Sequence, residues 1–288
     1  MLTCWSLDNI RKHKSFYKEF DLLMLFASVK LWKKNHPEDT CVLYADSMTE
    51  GVIKDLSADY LWDEIRPLGD NKFIDKNIFW ASSKLQALRY IEEPVTILDT
   101  DFLAYKPLNN LLRGNITVAH DENGIGYYPG PLDPYIRQVR HLVNRPNHRS
   151  VNCCFVHIPD PTFTQYYAKN SLLLMEEFTK LRVPSSNYLV FAEQLYLKHL
   201  FDIHNIKYDT LLNQIWHCND GHFYDNKKEG LLPKGEEHLY YRHYWMEKTM
   251  VRESAGGYVY EEEIKQLRNI LGKSTKVDIK KLQDVYCR

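Results

Sequence analysis

Short runs of β-forming residues alternate with helical runs through the first half of the chain, and this alternation restricts the fold more than any other feature. Leu2–Ser6, Cys41–Ala45, Glu64–Pro67 and Val95–Leu98 read as strands, with helical stretches between them. Strands that alternate with helices build α/β architectures, in which a largely parallel sheet carries helices on both faces. The first helix is expected from about Ser15 to Lys34. It is apolar on nearly all sides (Phe16, Phe20, Leu23, Phe26, Ala27), which places it in the core, and Lys33-Lys34-Asn35-His36-Pro37 stops it.

At 288 residues the chain fits one large α/β domain with a small appendage. The boundary falls near Ala255-Gly256-Gly257, giving a domain over 1–250 and a C-terminal helical extension over 251–288. With 44% hydrophobic and 26% charged residues, the composition is that of a globular protein. A formal net charge of -1 argues against a protein built to grip nucleic acid. The longest uncharged apolar stretch, Leu22 to Val29, is far short of the roughly 20 residues of a transmembrane helix. No charged leader precedes an apolar run at the N-terminus, so a cytoplasmic location is expected. The six scattered cysteines (Cys4, Cys41, Cys153, Cys154, Cys218, Cys287) are expected to be reduced and mostly buried.

A helix from about Ser82 to Glu92 leads through Pro94 into Val95-Thr96-Ile97-Leu98, which delivers Asp99-Thr100-Asp101 to a strand end. Ligands bind at such strand ends in open α/β sheets. Carboxylates at i and i+2 can turn toward one hard cation, and that cation can neutralise a diphosphate. A turn or helix cap uses the same residues equally well. Beyond lie a strand at Ile116–Ala119, a Gly/Pro/Tyr-rich loop over Asp121–Asp133 and a strand at Val151–Ile158. Helices follow around Phe163–Lys180, Tyr188–Leu200 and Tyr258–Leu271. The last repeats apolar residues at Tyr260, Ile264, Leu267 and Leu271, a stripe that packs on the domain or on a second copy to form a homodimer.

The segment VTILDTDFLAYKPLNNLL as a whole resembles the DxD strand of GT-A glycosyltransferases, especially the glycogenin/galactosyltransferase-like group. Further pieces of that pattern occur in the expected order. The resemblance implies a GT-A fold with a Rossmann-like nucleotide-binding sheet, a nucleotide-sugar donor (UDP by analogy), Mn2+ or Mg2+ as cofactor, and a hydroxyl of a glycan acceptor. It assigns metal ligation to Asp99, Asp101 and His243, and donor contacts to Thr100. In Trp80-Ala81-Ser82-Ser83-Lys84-Leu85, Lys84 corresponds to a basic residue facing the sugar phosphate; unaided, it reads equally as a solvated surface lysine. Ser150-Val151-Asn152-Cys153-Cys154 is similar to a strand bordering the sugar, with Asn152 as the polar contact and Cys154 in place of a glycine. Phe191-Ala192-Glu193-Gln194-Leu195 resembles the acidic-residue-plus-Gln pair beneath the sugar, so Glu193 and Gln194 are catalytic candidates and retention of configuration is implied. His238 to Lys248 resembles the C-terminal His…Lys signature. There Lys248 binds the diphosphate, with Arg242 and His238 in reserve, although the glycine after the His is missing and the interval is one residue shorter. Ser6 and Asp8 correspond by resemblance to the family's uracil-binding loop, and Asp8-Asn9 reads equally as a plain turn. Asp121 is a second candidate base near the acceptor loop, and Tyr127, Tyr128 and Trp245 could offer flat faces to sugar rings, although in a chain that is 13% aromatic ordinary packing is the commoner role of each.

Two other readings share the motif. Asp-x-Asp after an apolar strand opens haloacid-dehalogenase-like phosphatases, although here it lies a third of the way into the chain and Leu103 replaces their Thr or Val. The missing glycines also suit a catalytically inactive sugar-binding protein on a GT-A fold. A dinucleotide-binding dehydrogenase is disfavoured because Gly124-Ile125-Gly126 lacks the third glycine and follows no βα turn. Placing the Asp pair at a strand end, outside the core, predicts that Asp101→Ala removes activity and leaves the fold intact.

Overall fold

In the computed structural model, residues 1–7, 19–69, 71–144, 147–226, 229–244, 247–254, 257–272 and 275–282 are described. The chain forms two compact units, each discontinuous in sequence: 1–68 with 98–110 and 238–288, and 69–97 with 111–237.

The first unit holds three parallel strands, Leu2–Leu7, Thr40–Ala45 and Glu64–Pro67, in that spatial order. Glu19–Asn35 connects the first two as the described part of the first helix, and Phe20 to Val29 is buried without a break, as its all-round apolar sequence requires. Asp46 caps the next helix, Ser47–Asp55, its carboxylate accepting from the Thr49 amide at 2.7 Å. The C-terminal helix Tyr258–Leu271 packs on the first helix through Ile264, Leu267 and Leu271. Its apolar stripe is therefore spent within the unit. Arg268 and Arg252 reach Glu19 and Asp21, two buried acids of the first helix.

A two-stranded antiparallel pair in the same unit, Phe102–Ala104 with Tyr241–His243, carries the Asp pair. Three side chains of the first helix and its end hold that segment. Ser28 donates to the Phe102 carbonyl at 2.6 Å, Asn35 donates to the Ala104 carbonyl at 2.8 Å, and His36 accepts from the Leu108 amide at 2.8 Å.

The second unit contains Tyr208–Thr210, Ile116–Val118, Phe155–Ile158 and Val95–Leu98 in that order, with Ile116–Val118 parallel to the first and antiparallel to Phe155–Ile158. A separate four-stranded sheet runs His222–Asp225, Gln214–His217, Asp121–Asn123, Arg149–Val151. Helices Ser82–Leu88 and Pro161–Lys180 pack together. Asp160 caps the longer one just before Pro161, a residue whose missing N–H costs nothing at that position. The helix expected at Tyr188–Leu200 is α-helical over Asn187–Val190 and Tyr196–Ile203, with a π turn at Phe191–Leu195 between.

The α/β expectation thus holds, with parallel strands connected by helices. Among the described residues Cys4, Cys41, Cys153, Cys154 and Cys218 form no disulfide and the first four are buried, whereas Cys287 lies outside the described residues. Among the described residues no helix is long and apolar enough to cross a membrane.

Candidate active site

The chain leaves the strand Val95–Leu98, turns through Asp99-Thr100-Asp101 and enters Phe102–Ala104. The Phe102 amide donates to the Asp99 carbonyl at 3.1 Å, which closes the turn. Pairing in register sets His243 opposite Phe102, and the Tyr244 amide donates to the Asp101 carbonyl at 3.3 Å. Tyr244 is buried edge-on against Phe20 at 5.5 Å, and its hydroxyl donates to Glu263 at 2.6 Å. This anchor sits between His243 and Lys248, and the Lys248 amide closes back on the Tyr244 carbonyl at 2.9 Å. His and Lys, five residues apart in sequence, are both directed at the Asp pair.

The His243 Nε2 lies 3.5 Å from Asp101 Oδ1 and 3.9 Å from Asp99 Oδ2. Lys248 Nζ donates to Asp101 Oδ2 at 2.7 Å. One ligand atom from each of Asp99, Asp101 and His243 lies within 4.8 Å of the others. Small divalent cations sit about 2.1 Å from oxygen ligands, so atoms around one ion lie up to roughly twice that apart, and this spacing needs only small side-chain movement to close. Two hard carboxylates with one imidazole are a donor set suited to a divalent cation. Burial opposes ionisation of Asp101, but Lys248 and His243 outweigh it and hold the carboxyl far below the usual carboxylate range. The Lys248 ammonium is disfavoured by burial and favoured more strongly by Asp101, so it is held above the usual lysine range.

Asp101 is only 2% exposed, which corrects the placement of the pair outside the core. Asp99 keeps a third of its side chain in solvent. Thr100 is half-buried between them. Ser6 is half-buried in the first strand, whereas Asp8 and Trp245 lie outside the described residues. Of the reserves, Arg242 is engaged by Glu247, Glu263 and Tyr244, and His238 is exposed in the turn Glu237–Leu239.

The second unit gathers another set. Lys84 is buried, unlike a solvated helix lysine, and its Nζ donates to Glu193 at 2.7 Å and to the Cys153 carbonyl at 2.9 Å. Glu193 is equally buried and sits in the π turn, whose backbone carbonyl at the same residue accepts from Tyr167. Such turns re-aim side chains that a regular helix would point elsewhere. Asn152 donates to Glu122 at 2.8 Å, and its own oxygen accepts from the Cys154 amide. Tyr128 donates to Glu122 at 2.6 Å and also lies 2.8 Å from the Gln194 amide oxygen as placed. One hydroxyl has one proton, so with that proton on Glu122 the Gln194 amide must present its NH2 instead. Burial, followed by the Glu122 charge, pushes the Tyr128 hydroxyl well above its ordinary value.

Glu122 joins Asn152, Tyr128 and Gln194, and sequence reasoning passed over it in favour of its neighbour. Adjacent strand residues face opposite ways, so the two could not both join this network. Asp121 instead accepts from Tyr208 at 2.7 Å and from Asn226 at 2.8 Å on the other face. Tyr127 is largely exposed and edge-on to Tyr128.

No protein-family model and no curated protein matches the chain. Among solved structures it is similar to the galactosyltransferase LgtC in complex with donor and acceptor sugar analogs, at 12% identity and a TM-score of 0.42 over 73% of each chain. A glycosyltransferase, GlyE of Streptococcus pneumoniae, shares 12% identity at a TM-score of 0.40, covering 74% of this chain and 45% of that one. The PaToxG glycosyltransferase shares 11% identity at a TM-score of 0.43, covering 70% and 69%.

Proposed function

We propose that the protein is a metal-dependent glycosyltransferase of GT-A type that moves a sugar from a UDP-sugar to a hydroxyl of a glycan, with retention of configuration. The observation that carries this reading is the convergence of Asp99, Asp101, His243 and Lys248, drawn from segments more than 130 residues apart in sequence. Asp99, Asp101 and His243 would hold Mn2+ or Mg2+, whose charge, when bound, offsets that of the leaving diphosphate. Lys248 supplies an ammonium beside the same carboxylates, suited to a phosphate oxygen. Ser6, Asp8, Thr100, Lys84 and Asn152 are proposed to contact the donor.

In the transfer, the bond from the anomeric carbon to the diphosphate breaks with its electron pair leaving on phosphate. The acceptor oxygen bonds to that carbon on the same face, and its proton passes to the departing phosphate. Glu193 would have to give up Lys84 to act as a proton acceptor, which favours a role for the pair in binding sugar hydroxyls over general base catalysis. Gln194, held against Tyr128, offers its amide to the same sugar.

The deciding experiment screens nucleotide sugars with and without Mn2+ for release of the nucleoside diphosphate. Metal-dependent release from a UDP-sugar supports transfer, since transferases leak donor to water, and a pure sugar-binding protein would release none. The anomeric configuration of the first-formed product, read by NMR, then tests retention.

A further inference from the structure

Asp121 and Glu122 part company at the strand Asp121–Asn123, and the face that receives Asp121 has no place in the chemistry above. Register fixes its composition. Asn123 pairs with Arg149 on one side and His217 on the other, and Asp121 pairs with Val151 and Ile215. Facing pairs share a side of the sheet, so Asp121, Asn123, Arg149, Ile215 and His217 look the same way. That face opens on a cavity of about 860 Å³, within the size range of small-molecule sites, which Tyr208 and Asn226 also line.

We propose that this cavity is a binding site for a neutral oligosaccharide, built from residues that take no part in the metal-ligating cluster. The inference rests on the reading of the protein as a glycosyltransferase only in naming that saccharide as part of the acceptor. Charge excludes the commoner alternatives. Lys198 is paired with Asp202 and Asp225 with Lys234, and the Glu122 carboxylate, which also lines the cavity, is held by Asn152 and Tyr128, so Arg149 stands against Asp121 and no excess of positive charge is gathered. A phosphate or polyanion site would gather positive charge. The donors and acceptors suit hydroxyls instead. A sugar hydroxyl both donates and accepts. Here the Asp121 carboxylate only accepts, the Arg149 guanidinium only donates, the Tyr208 hydroxyl, its one proton given to Asp121, can accept, and the neutral His217 ring can do both. The Arg149 guanidinium makes no hydrogen bond or ion pair among the described residues. Asp121 is fixed in place by Tyr208 and Asn226, so the acceptor is oriented before any ligand arrives. Ile215 and the ring of Tyr208, stacked on Phe201 at 4.6 Å, supply the apolar surface that the C–H face of a pyranose covers.

The test uses the whole chain and lactose, maltotriose and N-acetylchitotriose as probes, with inorganic phosphate as a fourth, each titrated by NMR at millimolar concentration. At least one saccharide should bind, and Arg149→Ala, at an exposed position that leaves the fold undisturbed, should weaken it roughly tenfold, the effect of losing one charged hydrogen bond. His217→Ala should weaken it similarly. UDP-sugar hydrolysis measured on the same variants should not change. Failure of all three saccharides to bind, binding that both variants leave unaltered, or binding of phosphate alone overturns the inference. Saccharide binding lost in both variants, in a protein that releases no nucleotide from any donor, would uphold the cavity and remove the transferase reading.

Discussion

Asp99 and Asp101 share a motif but not an environment, and the difference separates their expected mutant phenotypes. Replacing Asp99 with Asn removes a ligand charge at a partly solvated position, so turnover should fall by roughly 100-fold, the scale of a lost electrostatic contact, with little change in thermal midpoint. Asp101→Ala should lose activity to a similar extent and also destabilise the protein, because it leaves the Lys248 ammonium without its 2.7 Å partner. The cost should be about 1 to 3 kcal/mol, near the lower end since Lys248 keeps some solvent contact. Chemical denaturation of the two variants side by side checks the contrast. Equal stability would mean that Asp101 is not the internal anchor its burial indicates.

Between neighbouring elements, the network on the inner face of the four-stranded sheet depends on one glycine. A Cβ added at Gly124 would lie 1.5 Å from the Tyr128 ring, an overlap that only displacement of the ring relieves. Gly124→Ala should therefore pull Tyr128 from Glu122 and cost about 1 to 3 kcal/mol, as overpacking does, measured as a lower urea midpoint. An unchanged midpoint would show that the Tyr128 ring is not held there. The period of two along Asp121–Asn123 is what gives Asp121 and Glu122 different partners, and the π turn at Phe191–Leu195 is what sets Glu193 against Lys84. Neither is visible from the motifs alone. Strand alternation was available in the sequence, but the residues that occupy each side come from strands up to 94 residues away.

For the whole molecule, stability should depend on pH through His36. Its Nε2 accepts from the Leu108 amide while Nδ1 lies 3.2 Å from the Trp32 carbonyl, an arrangement only the neutral ring can make. Burial is the main reason its pKa lies below 6.5, against the opposing effects of Trp32 and Asp39. The unfolded chain therefore takes up this proton first as pH falls. The contribution of the neutral ring is complete above about 6.5 and is lost progressively below it, down to the folded value. His199 shifts in the same direction, also through burial, so His36→Gln should shrink the acid-side fall in thermal midpoint without abolishing it. Metal gives a second global readout. Saturating Mn2+ should raise the thermal midpoint by preferential binding to the folded state, about 2.7 kcal/mol at one hundred times the dissociation constant. EDTA should reverse the shift and abolish turnover, and Asp99→Asn should remove most of it. Full activity after exhaustive chelation would discard the metal assignment.

The sequence by itself determined the alternation of strands and helices, the all-round burial of the first helix and the delivery of two aspartates to a strand end, because hydrophobic period and stop signals are local properties of the chain. Resemblance to the C-terminal His…Lys signature of GT-A glycosyltransferases pointed to His243 and Lys248, since an ordered series of short motifs can be matched without knowledge of the fold. Tertiary structure alone decided that Asp101 is buried while Asp99 is not, that Lys84 is an interior ion-pair partner and not a surface lysine, and that the stripe of Tyr258–Leu271 is spent on the first helix. It decided too that Glu122, not Asp121, meets Asn152 and Tyr128, and through Tyr128 joins Gln194. Burial and partner choice are sums over contacts between residues distant in the chain, and no local pattern carries those sums.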